Sequence, residues 1–212
     1  MVRRPQFGYD VLNAYVGRYA RDYDGDGKTD YAVVRRTNGN MVWYIFRSSD
    51  NSYYSYNWGV TTDFVAPGDY DGDGKFDVAV QRPGASATAA GTFYILQSSN
   101  NGFYSIEFGQ SNDLIAPGDY DGDGKTDLAV VREGSTPTSD LTWIVRHSST
   151  GSIVTRTFGV SGTDLNVQND YDGDGKTDIA IWRNTNGSFY WVPSSTGGMN
   201  IMQWGQAGHA LI

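Results

Sequence analysis

The sequence predicts an all-β fold, a β-propeller of four blades with four strands each and roughly 50 residues per blade. Three observations carry this. The string Asp-Tyr-Asp-Gly-Asp-Gly-Lys-x-Asp occurs at 22–30, 69–77, 119–127 and 170–178, at offsets of 47, 50 and 51 residues. Each copy is followed by the same succession of short apolar strands. No segment shows helical periodicity. A β-sandwich is the competing all-β architecture, but it does not account for a strict repeat.

The elements follow in order within each unit. After the acidic string comes a strand, Tyr31-Ala-Val-Val-Arg35, Val78-Ala-Val-Gln-Arg82, Leu128-Ala-Val-Val-Arg132 or Ile179-Ala-Ile-Trp-Arg183. A variable polar stretch leads to an aromatic strand beginning at Trp43, Phe93, Trp143 or Phe189, and a Ser-Ser pair follows at Ser48, Ser98, Ser148 and Ser194. The unit closes on Trp58-Gly59, Phe108-Gly109, Phe158-Gly159 or Trp204-Gly205. Asn38-Gly39 and Asn186-Gly187 stand where a tight hairpin wants positive φ. Ala32, Ala79, Ala129 and Ala180 recur at one place, as sheets covered on both faces require.

The units span 15–59, 64–109, 114–159 and 165–205 of a single domain, 1–212, with partial units at 1–14 and 206–212. The expectation is a chain cut from a longer array at a constant phase. It closes as a four-bladed ring or forms half of an eight-bladed dimer, and both remain open at this point.

The chain has 212 residues, enough for a sizeable core, and no cysteine, which removes disulfide scaffolds, thiolate zinc sites and cysteine nucleophiles. Its formal charge of −8 argues against nucleic acid or an anionic membrane as partner. The charge is also concentrated. Of 22 aspartates, 16 lie in the four loops with all four lysines, whereas glutamate occurs only at Glu107 and Glu133. A solvated acidic face mixes Glu with Asp and scatters both, so this distribution points to binding sites. The loops carry −12 and the remainder +4, and four divalent cations would bring the formal total to zero.

Spacing identifies the cation. Asp-x-Asp-x-Asp-Gly-x-x-Asp converges hard oxygens on one point, which suits Ca²⁺. In the first loop Asp22, Asp24 and Asp26 hold positions 1, 3 and 5, the Lys28 carbonyl position 7 and Asp30 position 9, with the lysine ammonium expected in solvent. The same roles fall on Asp69, Asp71, Asp73, Lys75 and Asp77; on Asp119, Asp121, Asp123, Lys125 and Asp127; and on Asp170, Asp172, Asp174, Lys176 and Asp178. About four Ca²⁺ are expected, one per repeat. Position 12 is Val33, Val80, Val130 or Ile181 inside a strand, which excludes an EF-hand and argues against a dockerin. Mg²⁺ rarely accepts an all-protein carboxylate cage.

With Phe-Gly, the lead-in Ala-Pro-Gly-Asp at 66–69 and 116–119, and Asp-Gly-Asp-Gly-Lys-Thr-Asp-Leu-Ala-Val, the chain resembles the FG-GAP/VCBS repeat family over almost its whole length. The resemblance implies a calcium-stabilised propeller of the integrin-α type, common in secreted bacterial proteins. It covers adhesins, sugar-binding modules and non-catalytic parts of polysaccharide-degrading enzymes alike. Two lead-ins depart from the pattern, Arg18-Tyr-Ala-Arg21 and Val167-Gln-Asn169.

Up-and-down blades put the acidic loops and Ser-Ser turns on one face and the variable loops 36–42, 83–92, 133–142 and 184–188 on the other, where recognition is expected. Arg35, Arg82, Arg132 and Arg183 end strands on that second face. They are candidate ligand-binding residues, although pairing with Asp63, Asp113 and Asp164 is the better reading, with His209 at the fourth place. The recurring aromatics are expected in the core. Trp182 and Trp191 break the repeat and are candidates for stacking on a sugar, as are Tyr53, Tyr54 and Tyr56.

Acid–base hydrolysis needs two carboxylates in contrasting environments, and nearly every aspartate here is committed to a loop or a repeated position. The expectation is therefore a non-catalytic, secreted or cell-surface module of bacterial type that binds glycan or an extracellular protein, with a homodimer or larger assembly open to it. An accessory domain of a secreted polysaccharide-degrading enzyme and a purely structural, self-assembling repeat are the alternatives. No apolar run reaches the ~20 residues of a membrane span. Met1-Val-Arg-Arg-Pro5 leads into no apolar stretch, so no leader is read there.

Overall fold

The structure, a computed structural model, describes residues 21–209. It is an all-β, four-bladed β-propeller of small antiparallel sheets, each meandering from strand to neighbouring strand. Blade 1 holds β1 (Tyr31–Thr37), β2 (Asn40–Phe46) and β3 (Tyr53–Val60). Its lead-in strand, expected at Arg18-Tyr-Ala-Arg21, lies outside the described residues except for Arg21, as do the partial unit at 1–14 and the last three residues of the one at 206–212. Blade 2 holds β4 (Phe64–Val65), β5 (Val78–Arg82), β6 (Ala90–Leu96) and β7 (Phe103–Gln110). Blade 3 holds β8 (Leu114–Ile115), β9 (Leu128–Arg132), β10 (Asp140–Arg146) and β11 (Ile153–Val160). Blade 4 holds β12 (Asp164–Asn166), β13 (Ile179–Arg183), β14 (Ser188–Val192) and β15 (Asn200–Gln203). Among the described residues no helix is long and apolar enough to cross a membrane.

The core lies between blades. Blades 1, 2 and 3 each bury their trailing face against the leading face of the next. Trp43 and Ile45 of β2 meet Val78 and Val80 of β5, Phe93 and Ile95 of β6 meet Leu128 and Val130 of β9, and Trp143 and Val145 of β10 meet Ile181 of β13. Strands sandwiched this way are apolar on both faces, which is why β9 reads Leu-Ala-Val-Val and β5 reads Val-Ala-Val before the buried Gln81. The glycine of each Phe-Gly or Trp-Gly pair fits a close approach. At Gly109, φ is +75° and a Cβ would come within 3.0 Å of Val130 in the following blade. One expectation for the core fails. Trp204, the counterpart of the buried Phe108, is 79 % exposed, because no described strand covers the trailing face of blade 4.

The four acidic loops gather around one cavity of about 560 Å³, which Asp22, Asp69, Asp119 and Asp170 all border. In blades 2, 3 and 4 the loop joins the first strand to the second, and in blade 1 it leads into β1. The loop base is pinned by isolated bridges, Gly68 to Asp77, Gly118 to Asp127 and Asn169 to Asp178.

Candidate metal centres

In each loop three carboxylates converge. Asp22, Asp24 and Asp30 present oxygens within 4.8 Å of one another, and so do Asp69, Asp71 and Asp77; Asp119, Asp121 and Asp127; and Asp170, Asp172 and Asp178. These are positions 1, 3 and 9 of the repeated string. The chain turns tightly enough because the two loop glycines take positive φ in every copy, for example +84° at Gly25 and +80° at Gly27. Their N–H groups then face inward. Gly25 and Gly27 donate to Asp22, and Gly122 and Gly124 donate to Asp119 at 2.6 and 2.9 Å.

The Ser-Ser turn holds the loop from the neighbouring hairpin. The Ser98 N–H donates to Asp77 at 2.7 Å, the Ser98 hydroxyl to Asp73 at 2.9 Å, and the Ser99 hydroxyl to Asp71 at 2.7 Å. Ser48 and Ser49, Ser148 and Ser149, and Ser194 and Ser195 repeat the arrangement. Asp26, Asp73, Asp123 and Asp174 therefore stand beside the triads, each accepting from the first serine of its pair and from the N–H of its loop lysine. The recurrence of Ser-Ser was visible in the sequence; its partner was not, because the two meet only once the blade has folded.

In blades 2 and 3 the most buried carboxylate of the triad is disfavoured in its charged form. Burial, reinforced by Asp71 and Asp69 and opposed by N–H groups of Ser98 and Tyr70, pushes Asp77 up to about 6. Burial, with Asp121 adding to it, likewise raises Asp127 to about 6. A cation among these oxygens would offset both burial and repulsion, and three hard carboxylates on a glycine-turned loop could hold a metal ion.

Lys28 is exposed, whereas Lys75, Lys125 and Lys176 are half-buried, because their stems lie over Gly25, Gly72 and Gly122 of the preceding loop.

At the opposite end the arginines are clamped. Arg82 grips Asp63 through Nε and Nη2, both at 2.9 Å; Arg132 grips Asp113 at 2.9 Å twice; and Arg183 grips Asp164 at 2.8 and 2.7 Å. Each of these aspartates also accepts a backbone N–H, from Val60, Gln110 and Val160. Three of the quartet are thus internal clamps, not free grips for a ligand. Arg35 lies over the Tyr44 ring at 5.3 Å and has no carboxylate partner among the described residues, while His209 Nδ1 accepts from the Gln206 N–H.

Trp182 is only 2 % exposed and offers no surface to a sugar. Trp191 is half-buried and stacks on Tyr171 with centroids 5.5 Å apart. Tyr53 is exposed, whereas Tyr54 and Tyr56 meet edge to face at 5.2 Å. Those two rings line a cleft of about 360 Å³ between blades 1 and 2, together with Arg47, Phe76, Gln97 and Asn101; Asp24, Lys75 and Ser98 also line it, so it lies on the face of the acidic loops and not on the variable-loop face where recognition is expected from the sequence.

Comparison with known proteins agrees with this architecture. Residues 22–80 match the FG-GAP-like repeat, and residues 112–139 match the FG-GAP repeat. No curated protein and no solved structure matches the chain.

Proposed function

We propose that this chain, which carries FG-GAP repeats, is a non-catalytic, calcium-stabilised propeller that binds glycan outside the cell. Ca²⁺ takes six to eight oxygens, more than a triad supplies. The carboxylates of Asp26, Asp73, Asp123 and Asp174 and the carbonyls of Lys28, Lys75, Lys125 and Lys176 complete the set, with water filling what remains. Calcium at millimolar level is an extracellular condition, which suits a module whose four loops depend on it.

The observation that carries the glycan reading is the cleft between blades 1 and 2. Its volume of about 360 Å³ falls within the range of small-molecule sites, and it gathers Tyr54 and Tyr56 with the planar polar groups of Gln97, Asn101 and Arg47. Arg47 is already partnered by Asp24 and Asp50, both at 3.6 Å, which favours a neutral sugar over an acidic one. The buried carboxylates are held in triads or clamped by arginine, and such fixed charges suit support more than proton transfer.

A glycan array run in calcium and again with chelator tests this. Binding is expected in calcium, with about a tenfold loss for Tyr56→Ala, the ~1.4 kcal/mol of one aromatic contact. A calcium-loaded, folded protein that binds no glycan overturns the reading, and turnover of a polysaccharide by the isolated chain overturns its non-catalytic part.

A further inference from the structure

Three seams between blades are built from one set of contacts. A Cβ placed on Gly25, Gly72 or Gly122 would come within 2.9, 2.8 or 2.7 Å of Cε of the next blade's Lys75, Lys125 or Lys176. Beside each lysine an N–H crosses the seam, from Phe76 to the Asp22 carbonyl at 2.7 Å, and from Thr126 to Asp69 and Thr177 to Asp119 at 2.6 Å. Behind these, two apolar side chains of each second strand seal against the aromatic strand of the blade before.

The fourth seam, from the trailing face of blade 4 to the leading face of blade 1, has both halves but no junction among the described residues. Among these, Gly173 has nothing within 4 Å and no hydrogen bond joins Thr29 N to the Asp170 carbonyl, and the Lys28 side chain is 71 % exposed. Tyr31 and Val33 are 75 % and 52 % exposed where Val78 and Val80 are 3 % and 0 %. On the other side Met202 and Trp204 stand 56 % and 79 % exposed. Tyr171 and Trp191 continue that patch, so the tryptophan that breaks the repeat lies on the uncovered face.

We propose that a second copy of this chain covers both faces, blade 4 of each copy against blade 1 of the other, so that two chains close an eight-bladed ring. The occupant of the blade 4 face must bring a lysine stem to Gly173, an N–H to the Asp170 carbonyl and two apolar side chains to the aromatic strand. The leading face of blade 1 carries that set in Lys28, Thr29, Tyr31 and Val33, and Lys28 meets an acidic loop there. Each junction is a fourth instance of a contact the chain already makes three times. The two junctions are related by a two-fold axis, so the assembly is closed. Propellers run to about eight blades, which two copies complete and a third would exceed.

The mass in solution, with calcium at tens of micromolar protein, tests the proposal. The expected species is twice the 23.3 kDa chain. Val33→Asp and Trp204→Asp should each leave single chains that still melt cooperatively in calcium, and Tyr31→Asp replaces the first if it does not fold. Mixing Val33→Asp with Trp204→Asp should restore a two-chain species, because one intact leading face then meets one intact trailing face. A single-chain wild type, an assembly larger than two, a dimer that survives Val33→Asp, or a mixture that stays monomeric overturns it.

Discussion

The two ends of blades 2, 3 and 4 bury aspartate in opposite ways. Asp113 and Asp127 in blade 3 are 5 % and 0 % exposed, so burial alone does not distinguish them. Asp113 meets the Arg132 guanidinium twice at 2.9 Å, whereas Asp127 meets the carboxylates of Asp119 and Asp121. The first counter-charge is part of the chain and folds with it. The second has none among the triad's own residues, so an ion supplying it would have to come from the medium. A buried carboxylate marks a metal centre when its nearest charged neighbours share its sign, and a structural clamp when they do not. One end of this propeller is therefore stable on its own terms, and the other is conditional.

The largest test of that contrast is removal of calcium. Saturating a site a hundredfold above its dissociation constant adds about 2.7 kcal/mol, so four sites amount to roughly 10 kcal/mol. For a chain of this size about 1 kcal/mol moves the melting temperature by ~2–4 °C, so chelation should lower it by roughly 20 °C or more. Calorimetry with and without chelator measures this. A melting temperature indifferent to chelation would mean that the loops hold no ion.

Single substitutions sharpen the comparison by sign. Asp113→Asn strands Arg132, whose side chain is 35 % exposed. The cost should be about 2 kcal/mol, below the full penalty of a buried pair, and the same with calcium or chelator. Asp127→Asn removes a ligand and should cost about 2–3 kcal/mol in calcium. In chelator it relieves a carboxyl that burial and Asp121 push up to about 6, so the variant should be as stable as wild type or more so. Denaturant melts in the two buffers resolve this. If Asp127→Asn weakens the protein equally in both, the distinction between the two ends is wrong.

Most of this contrast was legible in the sequence, because its parts are local or strictly periodic. The Asp and Gly positions of a loop lie within nine residues, so ligand spacing could be read directly. The Arg–Asp clamps recur at 19 residues, as Arg82 does after Asp63, and recurrence stood in for contact. Contacts made by assembly escaped. Lys75 looks like a solvent-facing lysine until the preceding blade puts Gly25 beneath it. Trp204 and Phe108 occupy the same place in the repeat, yet one is exposed and the other buried, since only a neighbouring blade decides burial there. Trp182 suggested a ligand platform because it replaces Val131, but the fold turns it inward.

The smallest effect concerns the serines, which tie the conditional end to its own hairpin. Ser149 donates its hydroxyl to Asp121 at 2.5 Å and thereby fixes one ligand oxygen of the blade 3 triad before any ion arrives. Ser149→Ala forfeits about 1 kcal/mol of that preorganisation, equivalent to roughly a fivefold weaker site, while the fold itself should be little changed. Ser161 supplies the control from the opposite end. Its hydroxyl donates to the Ser139 carbonyl at 2.9 Å, so Ser161→Ala should cost similar stability and leave calcium affinity untouched. Calorimetric titration of the two variants separates a bond that positions a ligand from one that only closes a loop. Equal affinities in both would reduce the Ser-Ser turns to ordinary turn chemistry and leave the carboxylates to find their places with the ion.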